Sequence, residues 1–199
     1  MAIVSHIIIP IVEGHGEFEG VRVLLQRLWY ELQLGGYLEV ERPIRRPKGK
    51  LRKEDELVRA VEFAGLRARR SEHVGLILIM FDADDACPVE LVAESQPWVD
   101  NVATDQLKTF ALPKIEVESW LIAGRSGFEE LLNEEYQDLQ NDFDPDTKGK
   151  GWLKRYYKSN YSETVDFPGL CSRYSVTDAR EQSRSFKKLC KECEILSQN

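Results

Sequence analysis

The sequence predicts an α/β protein: a mostly parallel, Rossmann-like sheet flanked by helices, with a helical C-terminal subregion. Two apolar runs of strand length carry the prediction. His-Ile-Ile-Ile-Pro-Ile-Val at 6–12 and Val-Gly-Leu-Ile-Leu-Ile-Met-Phe at 74–81 are apolar almost throughout, as strands covered on both faces of a parallel sheet are. Connections long enough to hold helices then give the order β-α-β-α-β, which implies right-handed crossovers and a parallel core.

Each element has its own signal. Gly14 and Gly16 predict a flexible turn after the first strand. A helix follows over 18–34, where Val21, Leu24, Leu25 and Leu28 recur at i, i+3, i+4, i+7, and Gly35-Gly36 predicts its end. Residues 37–40 predict a short second strand, and 42–53 a basic loop containing two prolines and one glycine. A second helix over 54–70 places Leu57, Val58, Val61 and Leu66 on one side. A short helix over 89–99 is expected to be interrupted at Pro97, and 109–112 predicts another strand. The second half is richer in charge and aromatics. It predicts helices over 117–123, 128–139, 152–157 and 178–196, with a polar loop at 142–151. The expected division is an α/β core at 1–125 and a helical extension at 126–199, packed together as one domain.

Bulk properties narrow the function classes. The 199 residues are 42% hydrophobic, enough for a sizeable core, and the net charge of −7 argues against indiscriminate coating of nucleic acid. The first residues lack a positive start, and their apolar stretch is broken by Pro10 and runs into acid, unlike a secretory signal. No stretch reaches the roughly 20 apolar residues of a membrane span. A cytoplasmic protein with reduced Cys87, Cys171, Cys190 and Cys193, and no membrane partner, is the expectation.

Three acids stand out by position. Glu13 follows the first strong strand, and Asp82 and Asp84 follow the second. Ligands of open α/β sheets bind outside the carboxyl ends of strands, and gathered carboxylates suit a hard cation such as Mg²⁺. The i, i+2 spacing of Asp82 and Asp84 aims both toward one side of an extended segment. Gly14 lets the chain turn without a side chain in the way. Taken singly, Asp82 and Asp84 fit turn chemistry, and Glu13 fits a cap or a surface. Together, on two strands, they point to metal.

Other groups allow two readings each. The densest basic cluster includes Arg45, Arg46, Lys48 and Lys50, and would either contact phosphate near the acids or form a solvated loop. Lys148, Lys150, Lys154, Arg155 and Lys158, interleaved with Trp152, Tyr156 and Tyr157, fit single-strand stacking or, better, a helix burying its aromatic face. At 183–187, Arg184 or Lys187 would stabilise phosphate charge, or Ser183 or Ser185 would cap a helix over Phe186. Cys190 and Cys193 have the spacing of half a zinc site without a matching second pair. No dinucleotide fingerprint or phosphate loop is present.

A strand ending in Glu13-Gly14 followed by a strand ending in Asp82-x-Asp84 resembles the TOPRIM fold of topoisomerases, bacterial primases, some RNA-processing nucleases and overcoming-lysogenization-defect nucleases. Ile-Glu-Val-Glu-Ser-Trp-Leu-Ile-Ala at 115–123 and Ser-Arg-Ser-Phe at 183–186 extend the resemblance to a small bacterial family of TOPRIM-like proteins classed as a domain of unknown function. The resemblance implies that Glu13 is a metal ligand or general acid/base, and that Asp82 and Asp84 bind Mg²⁺ or Mn²⁺. Glu116 and Glu118 are candidates for further ligation, with Glu17 and Asp85 in reserve. As i, i+2 residues do not share a helix face, one of Glu116 and Glu118 is expected to reach the site. The implied function is a metal-dependent nuclease acting on DNA or RNA with water as nucleophile, beside an ATPase partner in bacterial defence. The alternatives are a non-catalytic module that binds metal or a partner's phosphate, and a purely structural α/β partner protein.

Overall fold

The structure is a computed structural model that describes residues 5–71, 73–138 and 148–199. Its centre is a parallel sheet made of β1 (Ser5–Val12), β2 (Tyr37–Val40), β3 (Ile44–Arg45), β4 (Val74–Ile79) and β5 (Leu107–Phe110). The order is β2-β1-β4-β5, and β3 lies against the upper end of β1 on the β2 side. The expected mostly parallel, helix-flanked α/β architecture is therefore observed.

Alternation along β1 and β4 builds two cores. Ile8, Val12, Leu76, Leu78 and Met80 face α1 (His15–Glu31), α4 (Glu118–Ala123), α6 (Asp166–Cys171), α7 (Val176–Gln182) and α8 (Arg184–Leu196). Ile7, Ile9, Ile11, Ile77, Ile79 and Phe81 face α2 (Glu54–Ala68) and α3 (Pro88–Asp100). Both faces of the central strands are dry, so both must be apolar. Residues of the C-terminal helices and of the sheet share the first core, and α5 (Gly149–Tyr156) joins it through Leu153.

Pro10 explains why the edge strand is split. Glu41 N–H donates to Ile8 O and Arg46 N–H to Val12 O, whereas Met80 N–H donates to Ile11 O. Residues 8, 10 and 12 thus turn their backbone groups toward β2 and β3. Pro10 has no N–H to offer there. Pairing stops after Ile8↔Val40 and resumes at Ile11↔Ile44. The expected basic loop at 42–53 consequently contains a two-residue strand.

Several boundaries differ from expectation. Helix α1 starts at His15, directly after its N-cap Gly14, and ends at Glu31 rather than at the glycine pair. Gln33 takes the left-handed φ of 52°, with Gln33 N–H on Tyr30 O and Leu34 N–H on Trp29 O. That is a Schellman closure with glutamine in the usual glycine place. Leu66 is 56% exposed, and the inner face of α2 is Leu57, Ala60, Val61, Ala64 and Ala68, whose small side chains let the helix lie close to the sheet. Helix α3 runs through Pro97, which is exposed like Ala93, so the carbonyl that loses its partner faces water.

In the extension, the expected helix at 128–139 is instead two 3₁₀ segments, Arg125–Leu131 and Glu134–Asp138. Residue 139, and 142–147 of the expected polar loop, lie outside the described residues. The expected helix at 178–196 is two helices. Ser183 has extended backbone between them and its hydroxyl accepts from Phe186 N–H at 3.3 Å. Helix α6, six residues long, gave no periodic signal. Cys171, Cys190 and Cys193 are buried free thiols, and burial pushes the Cys190 thiol up to about 12. Among the described residues, no helix is long and apolar enough to cross a membrane.

Candidate functional site

Helix α1 leaves the sheet on one face and α2 on the other, so the chain places β2 on one side of β1 and β4 on the opposite side. The strand order reverses between β1 and β4. This is the switch point outside which α/β sheets form a crevice. Glu13 is the first residue past β1. Asp82 follows Met80 and Phe81 at the end of β4, and the register pairs Ile11 with Ile79. The acids of the two strongest strands thus stand on neighbouring tips of one edge.

Four carboxylates there are withdrawn from water: Glu13 is 6% exposed, Glu17 4%, Asp82 7% and Glu118 1%. Glu17 stands one turn beyond Glu13 on α1 and folds back over Gly14, where an added Cβ would lie 2.0 Å from Glu17 Oε2. Glu118 opens α4 and accepts from Tyr161 Oη at 3.2 Å, leaving Glu118 Oε2 buried with no hydrogen-bond partner. Asp82 Oδ1 accepts from Val117 N–H at 3.0 Å, which ties the β4 tip to the start of α4.

The electrostatics follow from burial. Desolvation, reinforced by Glu17 and Glu118, pushes Asp82 up to about 8. Burial raises Glu118 to about 7, against the pull of Lys150. Burial also raises Glu13, opposed by the Gly49 N–H and by Arg52. Glu17 is raised by burial and by Glu13 and Glu163, against Lys150. Lys150, the cation inside the cluster, is pulled down by its own burial but raised further by Glu118, Glu163, Asp82 and Glu17 together. Its Nζ sits 3.4 Å from Glu163 Oε2.

The basic loop closes over the same edge. Gly49 N–H donates to Glu13 Oε1. Lys48 Nζ lies 3.2 Å from Asp84 Oδ1, and Arg52 bridges Asp84 Oδ2 at 3.1 Å and Asp82 O at 2.8 Å. Asp84 itself is half-buried in the left-handed region, φ 50°, which aspartate tolerates. Lys50 turns aside to Glu56 at 2.9 Å. Arg45 and Arg46 lie half-buried at the end of β3.

Other candidates lie elsewhere. Glu116 Oε2 accepts from Lys150 N–H at 2.8 Å at the start of α5, so of the two glutamates it is Glu118 that joins Asp82 and Glu17. Asp85 and His15 are exposed. Arg184 and Lys187 are exposed on the first turns of α8, Ser183 caps that helix, and among the described residues no contact joins either cation to the carboxylates. In the aromatic-basic segment, α5 buries Leu153 and Tyr156, and Trp152 packs 5.8 Å from Tyr136. Sequence reasoning grouped Arg52 with the basic cluster of 42–53 and Lys150 with the aromatic-basic segment, but not as partners of particular acids, because both reach them through loops and helices distant in the chain.

No family model, curated protein or solved structure matches this chain.

The donor set fits a hard divalent cation: every candidate ligand is a carboxylate oxygen, and one, Glu118 Oε2, is buried without a partner. That fit is one of donor chemistry alone: among the described residues, no group of three or more such side chains is placed to hold a metal ion. Glu13 and Asp82 are each tied to a backbone N–H and Asp84 to two cations.

Proposed function

We propose that this protein is a Mg²⁺- or Mn²⁺-dependent, TOPRIM-type phosphodiester-processing enzyme acting on nucleic acid, and specifically a nuclease. The observation that carries the proposal is the set of four buried carboxylates at the β1–β4 switch point, with Lys48 and Arg52 paired to Asp84 at the same edge. Repulsion and desolvation make such a group bind either protons or a cation. Glu13, Asp82 and Asp84, with Glu118, would hold the ion. When bound, the ion supplies Lewis-acid polarisation of a phosphoryl oxygen and a water of lowered pKa.

The chain's own residues supply the remainder. Lys48 and Arg52 pair with Asp84, and Arg45 and Arg46 stand at the end of β3 opposite the end of β1; together these cations would seat a phosphate backbone. Without an ion, burial keeps the Glu118 and Asp82 carboxyls near neutral pKa, so a bound divalent cation would take the place of their protons. Water is the nucleophile.

A labelled oligonucleotide and a plasmid, each incubated with Mg²⁺ or Mn²⁺, test the reading. Cleavage by the wild type that is lost in Asp82→Ala and in EDTA is the expected result. Absence of metal-dependent cleavage by folded wild type on both DNA and RNA would sink it.

One observation favours a second reading. Asp84 is already paired with Lys48 and Arg52, which leaves it less open to a metal ion and favours a module that binds phosphate without turnover, as on a partner protein. Oligonucleotide binding without cleavage, unchanged by metal, is the outcome that would select it.

A further inference from the structure

We infer that Lys48 and Arg52, on loop 47–53, are an internal counter-ion for the carboxylates that substrate phosphate displaces, so that phosphate and divalent-ion binding are mutually dependent. This deepens the proposed phosphodiester chemistry and rests on it.

Three observations carry the inference. First, the loop makes direct contacts with the acids from both strand tips. Gly49 N–H donates to Glu13, Lys48 pairs with Asp84, and Arg52 reaches both Asp84 and the Asp82 carbonyl. These are the groups that would meet a phosphate, and a guanidinium pairs with phosphate oxygens as well as with a carboxylate. One Arg and one Lys cannot satisfy Asp84 and a phosphodiester equally. Second, Lys48 can swing away while Leu51, fully buried, keeps the loop anchored. The Lys48 side chain is 76% exposed, and Gly49, at φ 74°, has nothing within 4 Å of the place a Cβ would take. Third, Glu118 Oε2, beside Asp82 and Glu17, is buried without a hydrogen-bond partner, and the cation that acts on it is Lys150 rather than Lys48 or Arg52.

The consequence is a thermodynamic cycle. With no substrate, Lys48 and Arg52 occupy Asp84 and oppose entry of a second positive charge. A phosphate chain draws these side chains onto its own oxygens and frees Asp84. The ion then binds more tightly, and by linkage the phosphate chain binds more tightly in the presence of the ion, by the same factor. Lys48 and Arg52 act here as positioning residues, governing Asp84 through its ion pairs.

The test uses the full chain, Mn²⁺ and a fluorescein-labelled phosphorothioate oligonucleotide. Mn²⁺ affinity is read by electron paramagnetic resonance with and without oligonucleotide, after subtracting Mn²⁺ held by the oligonucleotide alone. Oligonucleotide affinity is read by anisotropy with and without Mn²⁺. The wild type is expected to show reciprocal tightening of about tenfold. Lys48→Gln and Arg52→Gln are each expected to tighten Mn²⁺ binding without oligonucleotide and to shrink the coupling. Lys53→Gln removes the same charge from an exposed side chain at the N-cap of α2 and is expected to leave both unchanged. Equal Mn²⁺ affinities with and without oligonucleotide, or loop variants indistinguishable from Lys53→Gln, would overturn the inference. If cleavage is nonetheless metal-dependent, the enzyme reading survives that result. If Mn²⁺ binds under neither condition and nothing is cleaved, both fall.

Discussion

Asp82→Asn is expected to stabilise the protein at pH 8 while changing it little at pH 5. Asp82 is buried among Glu17 and Glu118 and its carboxyl is pushed up to about 8. The ordinary aspartate value is about 3.9, so between those limits the folded state holds a proton that the unfolded state has released. Stability from this group is complete below about pH 4 and falls as pH rises toward the folded value. Taken alone, the loss between pH 5 and pH 8 is about 4 kcal/mol at roughly 1.4 kcal/mol per pH unit. Water entry and movement of the coupled acids reduce it to an expected ~2 kcal/mol. Glu118, at about 7, loses stability in the same window and in the same direction. Lys150 is shifted upward, so its contribution is complete throughout this window and adds no slope. Asparagine can still accept from Val117 N–H. Urea titrations in EDTA at pH 5, 6.5 and 8 measure the effect. A wild-type stability that stays level across that range, or an Asp82→Asn variant equally destabilised at all three values, would overturn this account of the buried acids.

Packing yields the other predictions. At Gly149 an added Cβ would stand 2.6 Å from Glu118 Cβ and 2.8 Å from Ser119 N, so Gly149→Ala is expected to force α4 and α5 apart and cost about 2 kcal/mol in a thermal melt. Gly151→Ala, whose nearest neighbour is 3.9 Å away, is the matched control and should not destabilise. Gln33→Gly is expected to raise stability by about 0.5–1 kcal/mol, because glycine takes the left-handed closure of α1 without steric cost. Phe186→Ala should cost about 3–5 kcal/mol by calorimetry, since its ring is fully buried between Trp120 and Tyr174.

The layered α/β architecture, and the edge where the site lies, are legible in the chain without coordinates. Apolar runs at 6–12 and 74–81 require cover on both faces, and the residues after each run must emerge at the same end of a parallel sheet. Glu13 and Asp82 were readable for that reason. Local chemistry also allowed the cap at Ser183 to be read, though not that it would split one helix into two. Which distant groups share that edge is a matter of three-dimensional packing alone. The family resemblance offered Glu118 as a candidate and Glu17 as a reserve, but nothing local sets them apart from other helix glutamates, and the packing of α1, α4 and α5 is needed to bury them with Lys150. The pairing of loop 47–53 with Asp84, and the split of the edge strand opposite Pro10, likewise depend on neighbours brought together by sheet order. Strand and helix periodicities are local properties of a chain, whereas desolvation and Coulomb coupling depend on separation in space.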